Sequence, residues 1–208
     1  MSVQVRPVAP IYTLMQNANH IFLENVLTEK ECDIIQTAYL NYIENGWKGT
    51  YDDRAQKNSI SISHPYKNLK LNSIHDHIDR RITPLIKKYF KDTIEYSHAY
   101  LRLYKNGSFL PMHNDRNKLD ITLSVNIAGI QNWPLHISNI ECEKFDNIYT
   151  TNDEVLVEKI KKNHSSFLTP RGSGVVCYAY KYPHWRDELV CEDHEYVLQL
   201  FYHWEILN

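Results

Sequence analysis

The spacing of apolar positions changes near residue 95. Before it, two stretches repeat at helical period. In the first, Ile35, Ala38, Tyr39, Tyr42 and Ile43 share a face. Thr28 and Glu31 form a capping-box pair ahead of it, and Leu27 and Cys32 stand where a hydrophobic staple packs. Asn45-Gly46 supplies the stop. In the second, the stripe is Ile74, Ile78, Ile82, Leu85, Ile86, Tyr89 and Phe90, with Asn72 or Ser73 as the cap. Pro84 falls inside it and is expected to kink or divide the helix. A short apolar strand is expected over 20–27, and Ser59-Ile-Ser-Ile-Ser63 alternates as a strand does. Residues 1–19, with Pro7 and Pro10, and most of 47–70 read as irregular.

After residue 95 the period is two. Strands are expected over 96–104, 120–127, 135–138, 175–180 and 196–202. Turns fall at 105–107, 129–134 and 167–174, and a short helix around 155–160. Many short strands at close spacing indicate a sandwich or barrel. The chain therefore reads as one α+β domain over 1–208, with a helical N-terminal part (1–94) packed on a β core (95–208). No internal repeat interrupts it.

Composition adds exclusions. A net charge of −2 and a pI near 6.6 argue against an electrostatic nucleic-acid footprint. Cys32, Cys142, Cys177 and Cys191 are widely spaced, which suits reduced thiols rather than a disulfide framework or zinc knuckle. The first ten residues lack the apolar core of a signal peptide, and the apolar runs fall far short of a membrane span. The expectation is a cytoplasmic protein with no membrane partner. Composition leaves the oligomeric state open.

The candidate chemistry lies in Pro111-Met112-His113-Asn114-Asp115-Arg116. On an extended segment residues i and i+2 point the same way, so His113 and Asp115 can converge on one divalent metal. A third ligand is needed for a two-histidine, one-carboxylate facial triad. His184, in Tyr182-Pro-His-Trp-Arg186, follows a strand and lies about 70 residues downstream. His98 and His136 fall in strands, His164 in a loop, and His194 and His203 near the last strand; these, with His75 and His77, read as structural or surface residues.

Four features in order then resemble the iron(II)- and 2-oxoglutarate-dependent dioxygenases, prolyl-4-hydroxylase-like branch. Tyr104 precedes His113 by nine residues with Gly107 between them. The His113-x-Asp115 pair follows. Leu168-Thr-Pro-Arg-Gly-Ser-Gly-Val-Val-Cys-Tyr178 leads to His184, and Glu195-Tyr-Val-Leu-Gln-Leu-Phe-Tyr202 closes the order. The entry Leu27-Thr28-x-x-Glu31-Cys32 is similar too. The resemblance implies a double-stranded β-helix (jelly roll), Fe(II) held by His113, Asp115 and His184, and 2-oxoglutarate chelating it, with Tyr104 as a cosubstrate residue. It also implies O2 as oxidant, succinate and CO2 as products, and hydroxylation of an amino acid, a peptidyl residue or a small metabolite.

The chain departs from the pattern at one place. The family sets Arg or Lys about ten residues past the distal histidine, to pair with the 5-carboxylate, whereas this chain reads Glu192-Asp193-His194-Glu195. Arg186 shares a side with His184 and is the first substitute; Arg102, sharing a face with Tyr104, is the second; Arg171 sits in a turn. The arginine not used for cosubstrate is expected to bind substrate, a role given to Arg102. Thr122, Ser124 and Asn126 form one strand face, with Asn126 the expected cosubstrate contact if it points inward. Trp133 and Trp185 are expected either to wall the pocket or to pack in the core. Two rival readings are a non-catalytic jelly-roll metal-binding module and a cupin-like metalloenzyme that does not use 2-oxoglutarate.

Overall fold

A computed structural model describes residues 12–17, 19–46, 59–142 and 153–207. In chain order these form β1 (Tyr12–Asn17), β2 (His20–Glu24), α1 (Glu29–Glu44), β3 (Ser59–Ser63), α2 (Pro65–Asn68), α3 (Asn72–Arg81), α4 (Thr83–Phe90), β4 (Ile94–Tyr104), β5 (Leu110–His113), β6 (Ile121–Gly129), β7 (Leu135–Ser138), α5 (Glu154–Lys162), β8 (His164–Phe167), β9 (Gly174–Cys177), β10 (His184–Arg186) and β11 (Val197–Ile206). The strands make two sheets, one of seven in the order β1-β2-β9-β6-β11-β4-β3 and one of four in the order β5-β10-β7-β8. Every pairing is antiparallel.

Alternation along the strands sorts the layers. Leu123, Val125, Leu198, Leu200, Leu101 and Leu103 leave one face of the large sheet and pack with Ile35, Tyr39, Ile74, Ile78, Ile82 and Ile86 of the helices. Each such fully buried aliphatic side chain contributes about 1.5–3 kcal/mol. Phe22, Val175 and Cys177 leave the other face and meet Leu110, Leu135, Ile137 and Phe167 between the sheets. Met112 and Trp185, on the far side of the small sheet, pack with Ile160 of α5. The order is helices, large sheet, small sheet, helix.

Local signals explain the elements that were foreseen. Thr28 Oγ1 accepts from the Glu31 N–H and the Glu31 carboxylate accepts from the Thr28 N–H, so the capping box forms. Leu27 and Cys32 are buried in one cluster. The chain breaks at Ile82 into α3 and α4, as Pro84 requires. The cap was misjudged: Leu71 precedes α3, with no side-chain hydrogen bond, and Asn72 is already helical. Five elements were not among those foreseen: β1 in a stretch read as irregular, α2 in a stretch read as loop, β5 and β10, which carry His113 and His184 outside the expected strands, and β8, which begins at His164 rather than leaving it in a loop. β1, β2 and β3 join the large sheet, so the N-terminal part supplies three strands besides its helices. The readings of 1–11, 47–58 and 143–152 fall outside the described residues. Among the described residues no helix is long and apolar enough to cross a membrane.

Candidate metal centre

β5 and β10 are neighbours in the small sheet, and His113 stands directly across the ladder from His184. Their ring centroids are 4.4 Å apart. Each ring spends Nδ1 on a backbone carbonyl: His113 on Pro111 at 2.7 Å, His184 on Tyr182 at 3.4 Å. A ring that donates through Nδ1 keeps its lone pair on Nε2, the form a metal binds. Asp115 lies past the end of β5, where its N–H donates to Ala179 O at 2.9 Å. The Asn114 side-chain amide donates to Tyr180 O at 2.7 Å and pins the same segment.

Asp115 Oδ1 sits 3.5 Å from His113 Nε2 and 3.8 Å from His184 Nε2. One donor atom from each of the three residues lies within 4.8 Å of the other two. Two imidazoles and one carboxylate at that separation form a facial donor set for a divalent transition metal. Asp115 Oδ2 is already taken, because Thr122 Oγ1 donates to it at 2.5 Å. The Thr122 oxygen is in turn 2.8 Å from His203 Nδ1, which donates to it. Oδ1 is the oxygen that faces both imidazoles, so Asp115 could offer it to a metal.

The electrostatics follow from burial and proximity. Burial pushes the Asp115 carboxyl upward, but the His113 hydrogen bond and the fields of His184, His203 and His113 outweigh it and hold the group below the usual carboxylate range. Burial, then the neighbouring His113, brings His184 down to about 4. Burial likewise brings His203 down to about 4 against the pull of Asp115. Burial thus favours the neutral form of His184 and His203, and their surroundings favour the charged form of Asp115, the protonation a metal site needs.

The triad opens on a cleft of about 290 Å³, whose other walls include Tyr100, Arg102, Tyr104, Leu119, Phe201 and Arg116. The polar face of β6 turns inward and is buried: Thr122 reaches Asp115, Ser124 reaches Gln199, and Asn126 donates to Thr169 O at 2.9 Å. Asn126 is thus occupied in holding the 169–173 turn, and its Oδ1 has no hydrogen-bond partner. Of the two tryptophans, Trp133 belongs to the interior beside Tyr104, with ring centroids 4.9 Å apart. Trp185 packs on the opposite face against His136 and Met112, so of its two expected places it takes the core rather than the pocket wall. Arg171 pairs with Glu29 and Asp33 of α1, away from the cleft.

Arg186 shares the triad's side of β10 and is 1% exposed. Its Nη1 donates to Trp133 O and its guanidinium carbon lies 4.8 Å from the Trp133 ring centroid. Nε and Nη2 have no partner. Burial brings the group down to about 10, with the Tyr104 hydroxyl acting the other way. A buried cation with two unused donors is a built receptor for an anion. Arg186 therefore lies near the Tyr104 hydroxyl with two unpartnered donors.

His203, Tyr100, Arg116 and Phe201 were not anticipated as site residues. Period-two alternation through β11 places Gln199, Phe201 and His203 on one face; only the cross-strand register, His203 opposite Thr122, shows that this face meets Asp115.

No protein-family model matches the chain, and no curated protein matches it. Solved structures do match in fold. EctD from S. alaskensis, with 2-oxoglutarate and 5-hydroxyectoine, aligns at TM-score 0.66 and 13% identity over 97% of this chain and 81% of its own. HygX from Streptomyces hygroscopicus, with nickel and 2-oxoglutarate bound, aligns at TM-score 0.58 and 11% identity over 89% and 82%. The viral collagen prolyl hydroxylase vCPH from Paramecium Bursaria Chlorella virus-1, a 2-oxoglutarate complex, aligns at TM-score 0.53 and 13% identity over 90% and 97%. The chain shares the fold of these proteins.

Proposed function

We propose that the chain is an iron(II)- and 2-oxoglutarate-dependent oxygenase on a double-stranded β-helix, hydroxylating an unactivated C–H of an amino acid, a peptidyl residue or a small metabolite. The observation that carries the reading is the pairing of the His113, Asp115 and His184 donor set with Arg186, a buried guanidinium bearing two unpartnered nitrogens. The first fits a divalent iron; the second fits the distal carboxylate of a dicarboxylic keto acid. The fold shared with 2-oxoglutarate complexes supports both.

Bound there, iron(II) with 2-oxoglutarate and O2 supplies the oxidising power to convert C–H to C–OH, the keto acid leaving as succinate and CO2. The residues of this chain do the rest. His113 and His184 present Nε2 because the strand ladder and their Nδ1 hydrogen bonds fix each ring. Asp115 offers one oxygen because Thr122 holds the other. Three positions are then left for cosubstrate and oxygen. Arg186 and Tyr104 anchor the distal carboxylate at the closed end. Leu110, Leu119 and Phe201 line the cleft with apolar surface and keep water from the reacting carbon.

The test is an anaerobic titration with Fe(II) and then 2-oxoglutarate. The expected result is a weak visible charge-transfer band at one equivalent, followed by succinate release on admitting O2. His184→Ala should lose stoichiometric iron. If metal binds but the band never forms, a metal-binding module or a cupin-like enzyme takes its place.

A further inference from the structure

We propose that the open side of the cleft receives a carboxylate of the substrate, so that the compound hydroxylated is a small organic acid anion held by Arg102 and Arg116; this rests on the oxygenase reading above. Arg102 lies on the inward face of β4, between Tyr100 and Tyr104. Its cross-strand neighbours are Gln199 of β11 and Ser61 of the edge strand β3, both neutral. Its Nη1 is buried without a partner, and its guanidinium carbon lies 6.0 Å from the Tyr104 ring centroid. No described carboxylate is within ion-pair distance of it. Arg116 stands at the mouth, where Nη2 donates to the Tyr100 hydroxyl at 2.9 Å.

Charge balance then decides the ligand. Among the described residues Asp115 is the one carboxylate lining the cleft, and its oxygens face His113, His184 and Thr122. Two arginines are left uncompensated on the same cleft as the metal donors. The planar guanidinium fork matches a carboxylate bidentately. Cosubstrate does not use up this charge, because Arg186 is fully buried on the side of β10 that carries His184 and has two donors of its own unpartnered, whereas Arg102 is half-buried and lines the cleft. Tyr100 and Phe201 are directly opposed across β4 and β11 and line the cleft between Arg102 and the His203–Thr122 row beside Asp115. The carbon skeleton lies along these two rings, with the anionic end toward Arg102 and Arg116 and a C–H toward the metal donors.

The experiment uses the anaerobic Fe(II)–2-oxoglutarate complex of the full chain. Free amino acids and short aliphatic and aryl carboxylic acids are added, each beside its primary amide and beside a phosphate monoester of similar size, and the displacement of the visible band is titrated. The acid is expected to half-saturate at least about tenfold below its amide, the scale of one charge-assisted hydrogen bond. Arg102→Gln should raise the half-saturating acid concentration about tenfold and leave the 2-oxoglutarate titration within about twofold. Arg116→Gln, at an exposed position, should shift the acid in the same direction and needs no refolding of the interior. Equal response to acid and amide, no response to any acid, or preference for the phosphate ester overturns the proposal. So does an Arg102→Gln protein that weakens 2-oxoglutarate and acid alike, since Arg102 then serves the cosubstrate. Absence of the band from the unsubstituted protein is a separate result: it refutes the oxygenase reading itself, and this inference falls with it.

Discussion

Arg186→Met separates a binding cation from a structural one. Burial brings the guanidinium from its ordinary, much higher value down to about 10, so the fold disfavours the cation by about 3 kcal/mol relative to water. The group stays protonated at any pH well below 10, so this penalty is constant across the neutral range. The hydrogen bond to Trp133 O and the stacking on its ring return about 1–2 kcal/mol together. Methionine has similar length and no charge, so the ligand-free protein should unfold within about 1–2 kcal/mol of the original, with the balance toward higher stability. Cosubstrate binding behaves differently. A carboxylate on Nε and Nη2 makes two charge-assisted hydrogen bonds, and their loss should cost about 3–4 kcal/mol, or two to three orders of magnitude in Kd. Anaerobic band titration gives the affinity, and thermal unfolding with and without 2-oxoglutarate gives both stabilities. An affinity within about threefold of the original, or a ligand-free protein destabilised by several kcal/mol, would refute the reasoning.

Three other substitutions or conditions test the site and its support. Thr122→Val keeps the shape but leaves Asp115 Oδ2 and His203 Nδ1 without their bridge, so iron affinity should fall about 10–100-fold in a competitive chelator titration; unchanged affinity would mean that the bridge does not orient the ligand. Burial holds His184, His203 and His98 well below 6.5, and Asp115 is also depressed. All four bind protons more weakly folded than unfolded; the contribution of the three histidines is complete above about 6.5 and is lost as pH falls toward 4, whereas that of Asp115 is lost only below about 4. The urea midpoint of metal-free protein should accordingly be lower at about pH 5 than at about pH 7.5, and a flat profile counts against the buried neutral histidines. Gly172 has φ +75°, and a Cβ there would stand 2.3 Å from Leu27 O. Gly172→Ala should destabilise by about 3 kcal/mol or more and lower Tm by roughly 6–12 °C in calorimetry.

What the sequence disclosed was whatever rests on local chemistry. Thr28 and Glu31 announce α1, Pro84 divides α3 from α4, and alternation marks β3, β4, β6 and β11. His113 and Asp115 were legible because two ligands two residues apart lie on one extended segment, and His184 because a strand leads into it. Register across strands was not legible. Nothing local says that His203 stands opposite Thr122, or that Thr122, Ser124 and Asn126 face the interior rather than solvent. Trp185 shows the same limit, since its neighbours His184 and Arg186 face the site and alternation sends it to the other side, under α5. β8 and β1 escaped because short polar strands such as His-Ser-Ser-Phe carry little apolar pattern and are fixed by their partners.

β11 lies between β6 and β4 in the large sheet, yet it enters after every other described strand in chain order. As a ribosome delivers the chain, β4 and β6 emerge with no partner for their facing edges, and the gap between them closes only when Val197–Ile206 arrives. His184 is synthesised before then, whereas the wall carrying His203 is β11 itself. Between the synthesis of β6 and that of β11 the nascent protein therefore exposes two long unpaired strand edges, a state prone to association and one that chaperones protect. Closure of the cleft is set by one late insertion rather than by gradual growth of the sheet.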